Sequence, residues 1–312
     1  MAVVARHPAA VPGWRLFSDA QDGVLTAAQA LSTGSSRADI STRVRRGEWQ
    51  RLFRGTFLVD AEMYPEPPAR ALIRAAGLAV PRAVVCGRSA ARLRGLGGTD
   101  EREWPVELAV PCGRRPRGQR GVCLRQVDVP PEHVTVIDGM RVTSPLWTIG
   151  DLLLRLPRME AVSALDAALH GGHLTTKDLA GLEPLLGHRP GAVEARRRLA
   201  EADGLAESPL ETRVRLICRD GGVAPDALQH PVRDRRGHVL GYGDMAWTHA
   251  RLIGEADGRT AHDTIRAVYR DRRRANDFRA EGWTIVRFTW ADTLRPAYIV
   301  STVRRVLAAI PR

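Results

Sequence analysis

Two neighbouring apolar runs in the last third of the sequence carry acidic residues near their ends. In the stretch GDMAWTHARLIGEADG these acids are Asp244, Glu255 and Asp257. Carboxylate oxygens are the ligands that a hard cation such as Mg²⁺ takes from a protein, while phosphate and water complete its octahedron. If LIGEAD forms one regular strand, Glu255 and Asp257 face the same side and can reach one cation. The alternative is a hairpin with solvated carboxylates, since acids near strand ends are common.

The elements around these acids follow an α/β order. The segment SPLETRVRLICRDGG begins with Ser208 as N-cap and Pro209 at the first helical position, and Glu211 can complete a capping box. Three strand-like runs, a long basic segment, a strand TIVRFTW and a closing helix follow. Helix, three-stranded meander, helix, strand, helix is the core order of the restriction-endonuclease-like fold, in which acids of the second and third strands converge on a divalent cation. Asp244 and Glu255 fit those two positions.

The basic segment HDTIRAVYRDRRRANDFRAEGW carries Arg270, Arg273 and Arg274 at helical spacing. A solvated helix face is the usual origin of such a run. Next to acidic residues, however, a positive wall is also what a phosphodiester requires, because the carboxylates alone would repel it. Three tryptophans are expected to pack against the sheet rather than to stack on bases: Trp247, Trp283 and Trp290.

The residues from about 22 to 60 predict a compact helical unit that ends in a hairpin. VLTAAQALSTG has the pattern of a short helix with Leu31 facing inward, and SSRADISTRVRRGEW starts a second helix with a capping box between Ser36 and Asp39. WQRLFRGTFLV follows as two strands about an Arg54-Gly55 turn. This is the order of a winged helix-turn-helix, whose second helix enters a major groove. The residues expected to contact DNA are polar positions of the second helix and the hairpin: Arg37, Ser41, Thr42, Arg45, Arg51 and Arg54. The alternatives are a winged helix used for protein contacts and a solvated basic helix.

The charge of the chain favours a polyanionic partner. The 312 residues have a formal net charge of +12, and Lys177 is the only lysine, so Arg supplies almost all of the positive charge. Arg binds phosphates and guanine edges bidentately, which makes DNA the expected partner. A GC-rich genome accounts for part of the preference for Arg over Lys, but not for the excess of positive charge.

Other composition signals exclude several classes of protein. The four cysteines have no metal-binding spacing, and no apolar run approaches the roughly 20 residues of a membrane span. We therefore expect a soluble, cytoplasmic protein with no membrane partner and no small-molecule cofactor. The oligomeric state is left open, with a homodimer among the alternatives.

Two parts of the chain resemble known families. The run SPLET...LQHPV...YGDMAW...RLIGEADG...RDRRRANDFRAEGWTIVRFTW resembles the very-short-patch-repair-like branch of the PD-(D/E)XK nucleases. GVLTAAQALSTGSSRADISTRVRRGEWQRLFRGTFLV resembles the winged-helix domain of AbiEi-type antitoxins, which are DNA-binding autorepressors, and GRSAARLRGL and VELAVP continue the antitoxin-like pattern. Together with the element order, these resemblances indicate an α+β multidomain protein. Its predicted parts are a winged helix-turn-helix at 1–64, an antitoxin-like α+β region at 65–186, a helical connector at 187–206 and a restriction-endonuclease-like α/β domain at 207–312.

The nuclease resemblance implies a set of site residues. Asp244 and Glu255 take the places of the two motif acids, and Glu211 takes that of the acid on the first helix. Mg²⁺ or Mn²⁺ held by Asp244, Glu255 and Asp257 would activate water and stabilise developing charge. Asp257 stands where the motif has its lysine. It is either a further ligand, with Arg259 or His262 nearby, or the mark of an inactive nuclease; the very-short-patch-repair type also lacks that lysine.

Two functions follow from these residues. The first is a DNA-binding protein whose C-terminal domain hydrolyses DNA phosphodiesters as a Mg²⁺-dependent endonuclease, with Asp244, Glu255, Asp257 and Glu211 as catalytic residues. The alternative is an AbiEi-antitoxin-like transcriptional regulator with a catalytically inactive nuclease fold. A partner-binding structural protein is a third and more distant interpretation.

Overall fold

The computed structural model describes residues 12–98, 105–113, 116–258 and 265–309, apart from the side chains of 265–268. The chain divides into two compact units, one of Met1–Gly95 with Glu101–Thr148 and one of Leu96–Asp100 with Ile149–Arg312. The boundary between the units at Thr148 and Ile149 falls inside the middle region predicted at 65–186. The second unit packs the end of the predicted middle region together with the connector and the C-terminal domain.

The first unit begins with three short helices and a three-stranded antiparallel sheet of order β1-β3-β2. In chain order the elements are α1 (Arg15–Ala20), β1 (Val24–Thr26), α2 (Ala27–Ser32), α3 (Arg37–Arg45), β2 (Trp49–Phe53) and β3 (Thr56–Val59). The capping box of Ser36 and Asp39 starts α3 as predicted. The expected helix over VLTAAQALSTG was wrong at its start, because VLT pairs with β3 as a strand and Thr26 caps α2 through Gln29. Leu31 is 40% exposed rather than inward.

A five-stranded sheet of order β6-β5-β4-β8-β7 completes this unit. Its elements are α4 (Ala69–Ala79), β4 (Val84–Val85), α5 (Gly87–Leu93), β5 (Val106–Val110), β6 (Val122–Gln126), β7 (Val134–Ile137) and β8 (Met140–Thr143). Asp22, beside β1, binds two guanidinium groups of α4, with Arg70 Nε at 2.6 Å and Arg74 Nε at 2.8 Å. Val24 and Leu58 of the small sheet share one core with Leu108 of the large sheet. The two sheets of the unit are therefore packed as one body.

The second unit is α-helical at first and α/β afterwards. Its elements are α6 (Pro145–Arg155, which starts in the first unit), α7 (Arg158–His170), α8 (Leu179–Leu186), α9 (Ala192–Leu199), α10 (Pro209–Asp220), β9 (Ala227–Arg233), β10 (Val239–Trp247), β11 (Leu252–Ala256), α11 (Ile265–Ala280), β12 (Thr284–Phe288), α12 (Trp290–Thr293) and α13 (Pro296–Ala308). None of the helices in the described ranges has the length and apolarity that a bilayer span requires.

A buried carboxylate joins α7 to α10. Asp166 is almost fully buried and accepts hydrogen bonds from Thr212 Oγ1 at 2.7 Å, from Arg215 Nη2 at 2.8 Å and from the backbone N–H of Asp203 at 2.7 Å. Burial raises the pKa of Asp166, and these three donors oppose that rise. Because a buried charge is costly unless it is paired and hydrogen-bonded, this cluster fixes the two helices in one arrangement.

The sheet of the second unit has the order β12-β11-β10-β9. The strands β9, β10 and β11 form an antiparallel meander, and β12 adds parallel to β11. Helix, meander, helix, strand, helix is the order predicted from the sequence, with the short α12 in addition. One face packs Met245 and Trp247 against α10 and α13, and the other packs Ala246 and Ile253 against Phe278 of α11.

Candidate functional site

The helix α3 presents a stripe of polar side chains. Arg37, Ser41 and Arg45 are exposed and follow one another at intervals of four residues, so they share one side of the helix. Thr42 is half-buried, and its Oγ1 accepts a hydrogen bond from Arg45 Nη2 at 3.2 Å. Ile40 is buried and anchors α3 to the core of Trp14 and Trp49. All four predicted contact residues of this helix thus lie on or beside its solvent-facing side.

A neighbouring arginine of α3 has a packing role instead. The Arg43 guanidinium lies over the rings of Trp14 and Trp49, 5.3 and 5.5 Å from their centroids, and pairs with Glu48 at 3.1 Å. A desolvated cation over an indole stabilises the fold. Arg43 therefore positions α3, whereas Arg37 and Arg45 are exposed to a ligand.

The hairpin of β2 and β3 adds exposed arginines next to a second basic segment. Arg51 lies over the Phe57 ring at 5.3 Å, and Arg54 is exposed at the turn. The backbone N–H of Arg54 donates to Gln119 Oε1 at 2.7 Å, which ties the hairpin to the loop between β5 and β6. Arg117 and Arg120 are exposed on that loop. Sequence reasoning missed these two residues, although the polar run CGRRPRGQRG was their signal.

The acids of the C-terminal sheet come from facing strands. Met245 pairs with Gly254 in the antiparallel register, so Asp244 and Glu255, one residue further along, are opposite each other on the same face. Asp244 Oδ2 accepts a hydrogen bond from the backbone N–H of Ala256 at 2.7 Å. Burial raises the pKa of Asp244 to about 7, and the nearby charges of Glu211 and Glu255 contribute to the rise. The structure therefore brings two of the predicted site acids, Glu211 and Glu255, within electrostatic reach of a third, Asp244.

Glu211 is held at the start of α10. Ser208 Oγ accepts from the Glu211 backbone N–H at 3.2 Å, as expected of an N-cap. The Glu211 carboxylate itself accepts from the backbone N–H of Glu207 at 2.9 Å and from Gln229 Nε2 at 3.1 Å. Gln229 lies in β9 with a left-handed φ of 45°, which an L-residue adopts only under constraint. Sequence reasoning missed Gln229 because no local pattern marks this conformation.

Both oxygens of Glu255 are bound by arginine. Arg274 Nη2 lies 3.0 Å from Oε1 and Arg287 Nε lies 2.8 Å from Oε2, and Glu255 is only 5% exposed. Asp271 pairs with the same two arginines at 3.2 and 3.0 Å. The cluster of Glu255, Asp271, Arg274 and Arg287 therefore neutralises its own charge. Arg274, expected to contact DNA, already binds two carboxylates, while Arg270 and Arg273 are exposed.

The last predicted acid lies at the edge of this cluster. Asp257 follows the final residue of β11, and its backbone N–H donates to the Phe288 carbonyl at 2.8 Å. Arg259 and His262 lie outside the described residues. Across the described ranges, no group of three or more His, Cys, Asp or Glu side chains is arranged to hold a metal ion. A cation at Glu255 would have to displace at least one guanidinium from that carboxylate.

Comparison with known proteins finds two family models that match parts of this chain. Residues 83–202 match the AbiEi antitoxin C-terminal domain. Residues 15–59 match a second model, described as a transcriptional regulator, AbiEi antitoxin. These matches cover the α1 to β3 region and the segment from β4 to the end of α9. The antitoxin resemblance noted in the sequence is thereby confirmed for both regions.

Two relatives align over most of the chain. The uncharacterized proteins Rv2248 and MT2308 of Mycobacterium tuberculosis are each 30% identical over 277 residues, which is 87% of this chain and 97% of the relative. This chain belongs to the same family as these two mycobacterial proteins, and two of its regions match AbiEi antitoxin models.

Proposed function

We propose that this protein is a DNA-binding transcriptional regulator of the AbiEi antitoxin type, in which α3 and the β2–β3 hairpin form a winged helix-turn-helix. The observation that carries the proposal is the stripe of Arg37, Ser41 and Arg45 on α3, exposed beside the basic hairpin. In a winged helix-turn-helix this helix enters the major groove, where Arg reads guanine edges and hydroxyl side chains contact several bases. The match of residues 15–59 to a transcriptional-regulator model supports the same function.

The contact surface in this proposal extends beyond the hairpin. Because Gln119 accepts a hydrogen bond from the backbone of Arg54, the loop that carries Arg117 and Arg120 is held against the hairpin turn. Exposed arginines on a segment fixed in this way are suited to phosphate contacts, which position a protein on the duplex without reading sequence. In this scheme α3 provides the sequence specificity, and the hairpin with the loop provides affinity.

A footprint on the DNA upstream of the protein's own gene tests this proposal. The full-length protein is expected to protect a defined site, and Arg45→Ala to weaken binding by about 1–3 kcal/mol, which is the usual value of a good base contact. The matched control is Arg197→Ala, which removes the same charge from an exposed position of α9. A footprint that survives Arg45→Ala and Arg51→Ala together would contradict the assignment of this surface.

Metal-dependent DNA hydrolysis is the second candidate function, and one observation favours it. Asp244 and Glu255 face each other on adjacent strands near Glu211, as the resemblance to PD-(D/E)XK nucleases implies. Asp244, with Glu255 or Asp257 assisting, would hold Mg²⁺ or Mn²⁺, and the cation would supply activated water and charge stabilisation. Arg270 and Arg273, which are both exposed, would attract the phosphodiester backbone.

Nicking of supercoiled plasmid and of single-stranded DNA in Mg²⁺ or Mn²⁺ tests the second candidate. Cleavage that disappears in both Asp244→Asn and Glu255→Gln would support a nuclease. Absence of cleavage by the wild-type protein, with its footprint intact, would leave the regulator as the function and the acid cluster as a structural element.

A further inference from the structure

The helices α12 and α13 display an unusual row of exposed aromatic and apolar side chains. Trp290, Leu294 and Tyr298 are 49%, 78% and 50% exposed. Trp290 begins α12, Leu294 is the residue that follows its last turn, and Tyr298 lies in the first turn of α13, so the three exposed side chains, here called the ridge, lie at the junction of the two helices. The sequence-based expectation that Trp290 packs against the sheet is wrong, whereas Trp247 is buried in the core as expected.

Three arginines lie on or near the elements that carry this ridge. The Arg213 guanidinium lies over the Trp290 ring, 5.4 Å from its centroid. Arg295 is exposed between Leu294 and the start of α13, and Arg305 lies two turns after Tyr298 on the same helix. Among the described residues none of these three arginines has a carboxylate partner, whereas Arg158, Arg196 and Arg219 of the same unit are all paired. The ridge therefore combines half-exposed aromatic rings with arginines that have no carboxylate partner among the described residues.

We propose that Trp290, with Arg213, Leu294 and Tyr298, is a stacking platform for unpaired nucleobases of a single-stranded nucleic acid. Aromatic side chains interleaved with arginine are the chemistry of such sites, since every base has a face that can stack and every linkage carries a phosphate. An apolar partner protein would have to bury three unpaired guanidinium groups, which is costly. The charges of the ridge therefore favour a polyanion that carries aromatic rings.

Fluorescence anisotropy with labelled oligonucleotides tests the platform. The full-length protein is titrated into a thymidine 12-mer and into a 12-mer of the same backbone without bases. Trp290→Leu, which keeps an apolar side chain, is expected to weaken binding to the thymidine strand by about 5- to 100-fold, in line with the value of one stacked base. Trp290→Phe is expected to retain most of the affinity. Binding to the abasic strand is expected to be equal in the wild-type and Trp290→Leu proteins.

Two results would overturn the platform. One is wild-type affinity of Trp290→Leu for the thymidine strand, since an apolar surface would then suffice. The other is an equal loss on the abasic strand, since the effect would then not involve a base. A uridine 12-mer run in parallel shows whether the platform takes DNA or RNA. The platform does not rest on the regulator function. Arg45→Ala is expected to leave unchanged the difference in affinity for the thymidine strand between the wild-type protein and the Trp290→Leu variant.

Discussion

Arg287 Nε lies 2.8 Å from Glu255 Oε2, while Arg274 Nη2 holds the other oxygen of the same carboxylate at 3.0 Å. The acid that sequence reasoning assigned to a cation is therefore the counter-charge of two arginines from α11 and β12. In this arrangement Glu255 ties the helix and the last strand to the centre of the sheet. A nuclease would need to open this cluster, whereas a DNA-binding fold would retain it.

The first prediction concerns the stability of this cluster. Glu255→Gln is expected to lower the free energy of unfolding by about 1–3 kcal/mol, because it leaves Asp271 as the one remaining carboxylate of the cluster that faces Arg274 and Arg287. This expected loss of stability is smaller than that for a fully buried ion pair, because the Arg274 and Arg287 side chains are about a third exposed, at 36% and 31%. Urea unfolding measures the change. Glu207→Gln, the same substitution at an exposed position, is the control and should change little.

The second prediction concerns the basic loop of the first unit. If Arg117 and Arg120 contact phosphates, replacing both by Ala should weaken binding to specific and unrelated duplexes alike. It should also reduce the slope of log affinity against log salt by about 2, or about 1 for each contact. Titration at several salt concentrations gives the slope. A loss confined to the specific site, with the slope unchanged, would show that the loop reads sequence instead.

The third prediction concerns the buried carboxylate between α7 and α10. Asp166→Ala is expected to cost about 3–5 kcal/mol, because Arg215 would keep a buried positive charge with no partner. Glu194→Ala, which breaks only the exposed pair with Arg197, should cost less than about 0.5 kcal/mol. Urea unfolding of both variants makes the comparison, and equal small losses would show that Arg215 is solvated after the substitution.

The fourth prediction concerns a close approach of two helices. A Cβ on Gly221, at the end of α10, would lie 2.3 Å from Cγ2 of Val300 on α13. Gly221→Ala is therefore expected to destabilise the protein by about 1–3 kcal/mol through overpacking. Adding Val300→Ala should recover part of that loss, since the two residues are in contact. Gly77→Ala, with no atom within 4 Å of the new Cβ, should instead stabilise α4 by up to about 1 kcal/mol.

The fifth prediction concerns acid sensitivity of α3. Hydrogen bonds from the Ser36 backbone N–H and hydroxyl lower the pKa of Asp39 below its ordinary value of 3.8. For a carboxyl whose pKa is lowered in the folded state, the stabilising contribution is complete above pH 3.8 and is lost as the pH falls through the lower folded value. NMR titration of the Asp39 carboxyl measures its pKa in the folded protein. Ser36→Ala should raise the pKa, and a wild-type pKa at or above 3.8 would contradict the capping geometry.

Local signals account for what could be predicted from the sequence. The capping box of α3, the turn after Arg54 and the order of the C-terminal strands were predictable because each depends on residues a few positions apart. The start of α2 could not be predicted, because a run as short as VLT fits a strand and a helix equally well until its partner in β3 is known.

The parts of the site that could not be predicted depend on distant segments. Arg287 reaches Glu255 from 32 positions away, and Gln119 binds Arg54 across 65 positions. No spacing rule in a single sequence connects such residues. The same limit explains Trp290, since a sequence shows that a tryptophan follows a strand but not that half of its surface stays open to solvent.

The Asp166 cluster also makes one part of the chain dependent on another for its buried charge. Its carboxylate belongs to α7, within the region that matches the antitoxin model, while two of its three donors, Thr212 and Arg215, belong to α10, beyond that region. A chain that ended near residue 206 would leave the Asp166 carboxylate without those two donors. The antitoxin-like region and the C-terminal domain are therefore coupled through Asp166, because removal of α10 would both expose this carboxylate and take away two of its donors.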